Sequence, residues 1–225
     1  MKRAEFKCQG TEAEVFLYDE IGESWGEGIS ARAFIDDLKS LGDVETIVVR
    51  MNSPGGSVFD GDAMYNALAR HPAYIRVEVD GLAASAASCV AMAGDEIVMA
   101  QNALMMIHNP WTLAWGTADE LRAQAALLDK LTDTIVDGYL GHTGDKSTRG
   151  QIIDWMTAET WFSAQEAVDV GLADRVAQPM RVAAMVHPAR YKHAPRDIVS
   201  DMAPGPDAKV AWRLAAARRE LMMLG

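Results

Sequence analysis

The sequence predicts an α/β domain with a largely parallel sheet, and three observations lead to that prediction. Short β-prone segments alternate with helical segments between residues 14 and 108. The β-branched run ETIVVRM at 45–51 has the composition of a buried parallel strand. With 225 residues, of which 49% are hydrophobic, the chain is long enough for one compact domain and a short extension.

The predicted elements follow one another along the chain. Besides 45–51, strands are predicted at 14–18, 74–80, 96–100 and 104–108. Ser30 is a suitable N-cap for a helix over about 31–41. The segment NSPGGS breaks the strand at 45–51, and a helix is expected from 58 to about 70. Gly81 indicates a turn before a helix of small residues that ends at Gly94.

A long helix is predicted over about 117–139, and the segment GHTGD should end it. Thr117 and Glu120 form a capping box at its start. Its apolar residues recur every three or four positions and form one stripe: Leu121, Ala125, Leu128, Leu131, Ile135 and Tyr139. Ser147 is expected to cap a shorter helix to 156, and Ser163 with Glu166 offers a second capping box.

The last part of the chain has a different character. Its prolines indicate an extended tail: Pro179, Pro188, Pro195, Pro204 and Pro206. A terminal helix is predicted at 207–223. We therefore divide the chain into a folded domain, 1–178, and a tail, 179–225.

Composition excludes several classes of function. The net charge of −11 argues against a nucleic-acid-binding protein, which would present a basic face. No run reaches the roughly 18 apolar residues of a membrane helix, and the N-terminus lacks the pattern of a secretory signal. Cys8 and Cys89 are the only cysteines, without CxxC or a histidine cluster. These features predict a reduced cytoplasmic setting, without structural zinc, membrane or metal cofactor.

Three segments contain residues suited to catalysis. The SPGG turn after a buried strand could present an unpaired backbone N–H outward, as an oxyanion hole requires. In GLAAS, Ser85 lies where a strand passes into a helix, beside free N–H groups. In MMIHNP, His108 leaves an apolar strand where a loop begins, a good position for a general base. Each segment alone has an ordinary structural interpretation as a tight turn, a helix N-cap or a structural histidine.

Other residues compete for these roles. Ser88 lies one helical turn after Ser85, although a serine inside an apolar helix is expected to bond to backbone. The competing histidines do not follow a comparable strand: His71, His142, His187 and His193.

The segments NSPGG, GLAAS, MMIHNP and FSAQEAVDVGLAD, in this order, resemble the signature of the Clp protease proteolytic subunit (ClpP) family. The resemblance extends from about residue 45 to 177. It implies a ClpP/crotonase-type fold of repeated β-β-α superhelical units, with the long helix protruding as a handle between two rings. It also implies a serine endopeptidase that acts on polypeptides, forms a heptamer or double heptamer and needs no cofactor.

Carried over residue by residue, the resemblance makes Ser85 the nucleophile and His108 its general base. The N–H groups of Gly56 and Ala86 would form the oxyanion hole. The family has an aspartate four residues before the serine of its SA-x-EA motif, where this chain has Glu159. Glu159 is therefore the expected third member of the triad, with Asp154 as the alternative.

The sequence also departs from the family at its N-terminus. About a dozen residues precede the first predicted strand, so the axial loops that engage an ATPase are expected to be short or absent, which argues against docking of a Clp ATPase. This N-terminus, the ETWFSA variant and the tail resemble ClpP-like proteases of phages and prophages, which process scaffold and other head proteins. Phage capsid or scaffold proteins are therefore expected partners.

Three other functions stay open at this point. A crotonase-type acyl-CoA enzyme would share the folding unit without needing Ser85 or His108. A Ser–Lys peptidase would need a lysine beside Ser85, and Lys130 and Lys146 are the nearest later ones. A catalytically inactive ring protein with a structural or regulatory role is the third alternative.

Overall fold

The computed structural model describes residues 4–22 and 28–177. The predicted tail at 179–225, its terminal helix and the boundary near 178 lie outside the described residues. Within the described part, eight strands form one sheet: β1 (Glu5–Gln9), β2 (Glu12–Leu17), β3 (Thr46–Ser53), β4 (Tyr74–Ala84), β5 (Glu96–Ala100), β6 (Leu104–Ile107), β7 (Thr160–Ser163) and β8 (Arg175–Ala177). The same residues contain six α-helices: α1 (Ala31–Lys39), α2 (Val58–Ala69), α3 (Ala86–Ala91), α4 (Ala118–Thr143), α5 (Arg149–Ala158) and α6 (Ala164–Val170).

The sheet is largely parallel, as the sequence predicts. Its main order is β1-β2-β3-β4-β5-β8, and only the β1–β2 pair in this path is antiparallel. Strand β6 lies parallel to β4 and antiparallel to β7. Val15 of β2, Val49 of β3 and Val77 of β4 are fully buried. They share one hydrophobic cluster with Phe34 of α1 and Met64 of α2. The predicted α/β class is thus confirmed.

The first strand comes earlier than the sequence predicts. Strand β1 pairs with β2 in a hairpin whose turn includes Gly10, at φ 66°. The prediction that β2 is the first strand was therefore wrong. It failed because β1, EFKCQ, is a mostly exposed edge strand with only one partly buried position, so it lacks apolar alternation.

The turn predicted at Gly81 is also wrong, because β4 continues through it to Ala84. Strand β4 changes neighbour along its length. Its first half pairs with β5 over Arg76–Val79, and its last residues pair with β6, where Ala84 lies opposite Met106. Gly81 lies between these two paired stretches, and the change of partner brings the end of β4 beside the end of β6.

Helix α4 confirms the predicted capping box of Thr117 and Glu120 but continues beyond the predicted end to Thr143. Ile135 and Tyr139, from its last turns, are buried in the domain, whereas Leu121 is 43% exposed. The apolar stripe is therefore buried in the domain only at the C-terminal end of α4. None of the helices in residues 4–22 and 28–177 has the length and apolar character needed to cross a membrane.

The later helices begin close to their predicted positions. Thr148, not Ser147, is the N-cap of α5, and Gln151 completes its capping box. The predicted capping box of Ser163 and Glu166 is present at α6. Strands β7 and β8 were not predicted, because segments of three or four residues are too short to show a period.

Candidate active site

Ser85 occupies a sharp turn between β4 and α3. Its φ of 56° and ψ of −129° lie where non-glycine residues are rare. Its N–H donates to the carbonyl oxygen of Met106 at 2.9 Å, which fixes the turn against β6. Ser85 stands at the N-cap position of α3, yet its side chain makes no capping hydrogen bond. Its hydroxyl is therefore not engaged in the usual structural role of a serine at this position.

His108 follows the last residue of β6 and faces this turn. Its Nε2 lies 2.8 Å from Ser85 Oγ. Burial lowers the pKa of His108 from its ordinary value, while the negative charge of Glu159 acts in the opposite direction. The net shift favours the neutral imidazole at neutral pH, the form that can accept a proton from a hydroxyl.

The pairing of β6 with β7 places Glu159 close to His108. Ile107 lies opposite Thr160 in that antiparallel ladder, so the next positions outward are His108 and Glu159. The carbonyl oxygen of Met156, in the last turn of α5, accepts the N–H of both Asn109 and Glu159, at 3.1 and 3.3 Å. The backbone that follows His108 and the backbone of Glu159 are thereby both bonded to the C-terminal end of α5.

The alternative acid, Asp154, has a different position. It lies within α5 and is exposed, and the carboxylate whose charge acts on the pKa of His108 is that of Glu159. Glu159 also has an unusual backbone, at φ 53° and ψ 78°. Among the described residues, Ser85 and Glu159 are the only non-glycine residues with positive φ.

Two backbone donors lie beside Ser85 in the turn after β3 and at the start of α3. Within the described residues, no hydrogen bond uses the N–H of Gly56 or of Ala86. Gly55 allows the turn after β3 to approach the Ser85 turn at the start of α3. At Gly55, with φ 86°, a Cβ atom would lie 2.4 Å from Ala84 O and 2.7 Å from Ser85 Cβ. Only glycine fits there without displacing the Ser85 backbone.

A narrow cavity adjoins the serine and the histidine. Its walls come from α2, the Ser85 turn, α3, the segment after β6, and α4: Val58, Asp62, Ser85, Ala86, Cys89, His108, Pro110, Ile135 and Tyr139. The sequence analysis assigned no role to Asp62, and it placed Tyr139 only in an apolar stripe. Helical periodicity would have placed Asp62 on the same face of α2 as Val58, but not beside Ser85.

A buried chain of hydrogen bonds connects α4 to the Ser85 turn. Tyr139 Oη lies 2.8 Å from Ser88 Oγ and 3.3 Å from Cys89 Sγ. Ser88 Oγ in turn contacts the carbonyl oxygens of Ser85 and Met106, at 2.6 and 3.0 Å. Ser88 therefore bonds to backbone, as expected for a serine inside an apolar helix, and is not the serine that faces His108.

The competing residues lie elsewhere. His71 and His142 line a separate, larger cavity that contains neither Ser85 nor His108. His187 and His193 lie outside the described residues. Lys146 Nζ donates to the carbonyl oxygen of Val168, and Lys130 is exposed on α4, so neither lysine lines the cavity at Ser85. Cys8 and Cys89 are both free thiols.

Fold and geometry together define an α/β protein with a serine–histidine pair at a strand–helix turn, beside two backbone N–H groups that make no hydrogen bond within the described residues. The profile of the family described as Clp protease matches residues 7–180. The ATP-dependent Clp protease proteolytic subunit 3 of Rhodococcus jostii is 33% identical over 188 residues, which cover 81% of this chain and 87% of that protein. The chain therefore belongs to the Clp protease family, a family of serine-type peptidases, and the predicted resemblance to ClpP is confirmed.

Further similarities agree with this membership. The Clp protease proteolytic subunit of Deinococcus radiodurans is 32% identical over 169 residues, covering 74% of this chain and 81% of that protein. Among solved structures, a ClpP1 mutant from Listeria monocytogenes matches with a TM-score of 0.63 at 23% identity, covering 73% of this chain and 91% of that one. This structural likeness supports the ClpP fold predicted from the sequence.

Proposed function

We propose that the chain is a serine endopeptidase in which Ser85 is the nucleophile, His108 the general base and Glu159 the residue that orients the imidazole. The observation that carries the proposal is the 2.8 Å contact between Ser85 Oγ and His108 Nε2 at a turn with a rare backbone conformation. Such a turn holds a nucleophile clear of its own helix and within reach of a base. Membership of the Clp protease family supports the same chemistry.

The reaction is acyl transfer. His108 accepts the Ser85 proton as Oγ attacks the carbonyl carbon of a peptide bond, and the oxygen of the tetrahedral intermediate accepts hydrogen bonds from the N–H groups of Gly56 and Ala86. The protonated imidazole then donates its proton to the leaving amine, so that the C–N bond breaks and an acyl-enzyme forms. Water, deprotonated by His108, attacks the ester and releases the second product with Ser85 regenerated.

Glu159 acts on the histidine and not on the substrate. A carboxylate opposite the imidazole stabilises its protonated form during the reaction and favours one ring orientation. A glutamate has one more methylene than the aspartate that the ClpP resemblance implies at this position. The left-handed backbone of Glu159, its position next to the Ile107–Thr160 pair and the effect of its charge on the pKa of His108 are the observations that support this role.

We propose further that the active form is a ring-shaped homo-oligomer, a heptamer or double heptamer, in which α4 provides contacts between copies. The support is a set of large apolar side chains exposed on the segment before α4 and on its first half: Trp111, Leu113, Trp115, Leu121 and Leu127. Native mass spectrometry of the full chain measures the stoichiometry. A monomer that nevertheless hydrolyses peptides would contradict this part of the proposal.

The finer assignment concerns the substrates. We propose that they are phage head or scaffold proteins, on the basis of the resemblance of the ETWFSA segment to phage and prophage ClpP-like proteases. The test is co-expression with capsid and scaffold proteins from the same genome, comparing the wild type with Ser85→Ala. Cleavage by the wild type alone supports the assignment, and intact head proteins beside a cleaved unfolded substrate such as casein oppose it.

Hydrolysis itself is tested with purified protein and unfolded casein, with and without a Clp ATPase and ATP. The wild type should release peptides, and the Ser85→Ala protein, of equal assembly state, should release none. Activity without the ATPase supports ATP-independent action, whereas activity only in its presence supports a partner-assisted enzyme. No release under either condition would favour an inactive ring protein.

A further inference from the structure

Ser88 has more hydrogen-bond partners than the usual role of a serine inside a helix explains. A helical serine can donate to a carbonyl oxygen three or four residues earlier in its own helix. Ser88 Oγ makes such a contact, with the carbonyl oxygen of Ser85 at 2.6 Å. It also lies 3.0 Å from the carbonyl oxygen of Met106 on β6 and 2.8 Å from Tyr139 Oη on α4. One hydroxyl thus joins three separate parts of the domain.

The acceptors of this network determine its donors. Carbonyl oxygens only accept, so the Ser88 proton is directed toward the carbonyl oxygens of Ser85 and Met106. The Tyr139 hydroxyl is then the donor to Ser88 Oγ. Burial raises the pKa of Tyr139 well above its ordinary value, so this donor keeps its proton throughout the neutral range of pH. The network is therefore uncharged.

The two carbonyl groups belong to the backbone that carries the nucleophile and the base of the proposed reaction. Met106 O also accepts the N–H of Ser85 at 2.9 Å, and His108 follows two residues later along the chain. Ser85 has the rare φ of 56°, a conformation that persists only where the surroundings hold it. Ser88 therefore bonds the carbonyl side of the strained turn, as Met106 bonds its N–H side.

Burial makes the pair of hydroxyl groups unfavourable unless both are present. Ser88 is 0% and Tyr139 1% exposed. A buried hydroxyl without a partner is costly, whereas apolar groups of similar shape in place of both partners can be nearly neutral for stability. Alanine and phenylalanine would fill almost the same space without any hydrogen bond. Stability alone therefore does not account for two hydroxyl groups beside the Ser85 turn.

We propose that Ser88 and Tyr139 are positioning residues, which hold the Ser85 turn against β6 so that Ser85 Oγ stays within reach of His108 Nε2. The inference rests on the proposed function, because it needs Ser85 to be the nucleophile and His108 its base. Both hydroxyl groups act through the backbone of the turn and not on the substrate. Their removal should slow the chemical step without weakening substrate binding, since a misplacement of about 1 Å can cost about 100-fold in rate.

The first test compares Ser88→Ala with the wild type in steady-state peptide hydrolysis. In the variant, kcat should fall by about tenfold and KM should stay within about twofold. A fluorophosphonate should still label Ser85 completely, at a rate reduced by about the same factor. Because the network is uncharged, the acid limb of the pH profile should stay at its position in the wild type. An unchanged kcat, or a loss that appears only in KM, would overturn the proposal.

The double variant Ser88→Ala/Tyr139→Phe separates positioning from stability. Each single variant leaves the other hydroxyl with fewer partners, so its Tm should fall by about 2–4 °C. The double variant removes both hydroxyl groups and should regain most of that loss. Its kcat should nevertheless stay as low as that of Ser88→Ala, because the carbonyl groups of Ser85 and Met106 have lost their donor. A kcat that recovers together with Tm would reduce the pair to a structural role and overturn the proposal.

Ser147→Ala is the matched control. Ser147 is also buried, and its Oγ donates to the carbonyl oxygen of Val170 at 2.6 Å, the same distance as from Ser88 Oγ to Ser85 O. Ser147 does not line the cavity beside Ser85. This variant should lose stability to a similar extent and keep the kcat of the wild type. Equal losses of kcat in Ser147→Ala and Ser88→Ala would show a general effect of lost stability and overturn the proposal.

Failure of this inference and failure of the proposed function give different results. If Ser88→Ala keeps the kcat of the wild type, the pair has no positioning role and the peptidase stands. If the folded, assembled wild type neither hydrolyses peptides nor reacts with the fluorophosphonate, the proposed function fails and this inference fails with it.

Discussion

The turns at Ser85 and at Glu159 share one feature and differ in nearly everything else. Both residues have a positive φ, 56° and 53°, which costs a non-glycine residue on the order of 1 kcal/mol. Ser85 lies between the buried residues Ala84 and Ala86, and its N–H is bonded to β6. Glu159 is half-exposed at the end of α5, a position where glycine is the usual residue. At Ser85 the surroundings impose the conformation, whereas at Glu159 a carboxylate is present although glycine would be less strained.

The two turns differ in what accounts for their strained backbone. The strained turn at Ser85 is held by its buried neighbours and by its hydrogen bond to β6. The strained turn at an open helix end is not explained in this way, since a glycine in place of Glu159 would adopt the same backbone at lower cost. We propose that the action of the Glu159 carboxylate on His108 is the reason for a glutamate at this position.

The largest expected effect comes from breaking the packing around Ser85. Gly55→Ala should lower kcat/KM by at least about 100-fold, because its Cβ would lie 2.4 Å from Ala84 O and displace the Ser85 turn. Peptide hydrolysis and thermal unfolding measure the two consequences.

Gly42→Ala is the matched control for Gly55→Ala. The φ of Gly42 is 70°, near that of Gly55, but nothing lies within 4 Å of an added Cβ. This substitution should cost stability on the order of 1 kcal/mol and no activity. Equal activity losses in both variants would contradict the importance of the close approach.

The next effect tests the charge of Glu159. Glu159→Gln keeps the size of the side chain and removes its charge, so kcat should fall by about tenfold or more, as for the third member of a triad. Steady-state kinetics at several substrate concentrations separate kcat from KM, and KM should change little because Glu159 does not contact the substrate. Asp154→Asn, an exposed acid on α5, is the control and should leave kcat unchanged. The reverse pattern would transfer the role to Asp154.

The same variant should also change the dependence of kcat/KM on pH. His108 must be neutral to accept the Ser85 proton, so activity rises as pH increases through its pKa. Burial lowers this pKa and the Glu159 charge partly restores it. Removal of that charge lowers the pKa further, and the acid limb of the profile should move to lower pH in Glu159→Gln. A shift to higher pH, or no shift with reduced activity, would show that Glu159 does not act on His108 through its charge.

The smallest expected effect is a change in stability that distinguishes the backbone strain at Glu159 from the role of its side chain. Glu159→Gly suits the left-handed conformation and should raise the free energy of unfolding by up to about 1 kcal/mol while lowering kcat as Glu159→Gln does. Denaturant unfolding and peptide hydrolysis of the same preparation measure both. A variant that is both more stable and fully active would mean that the glutamate has no catalytic role.

The fold was predictable from sequence where strands are apolar and β-branched. The runs that became β3 and β5 carry that composition because both of their faces are covered, whereas the first part of β4 alternates buried apolar residues with partly exposed polar ones. Strand β1 was missed because it is a polar edge strand, and the turn at Gly81 was wrongly predicted because a change of strand partner leaves no local signal. The capping box and the apolar period predicted the long helix and the ClpP resemblance implied its role as a handle, but neither could show that only the last turns of α4 are buried.

The candidate site was predictable to a similar extent. Ser85, His108 and Gly56 each follow a strand in a recognisable motif, so sequence and resemblance could single them out. Glu159 could be expected only by position, since its place opposite His108 depends on the pairing of β6 with β7. Asp62 carries no motif, because the residues that share its cavity come from α3, α4 and the segment after β6.

The central claim is that Ser85 is an activated nucleophile, and intact-protein mass spectrometry after treatment with a fluorophosphonate probe tests it most directly. The wild type and Ser88→Ala should each gain one adduct per chain, whereas Ser85→Ala and His108→Ala should gain none. An unmodified wild type that is folded and assembled, or an adduct that persists in Ser85→Ala, would contradict the claim.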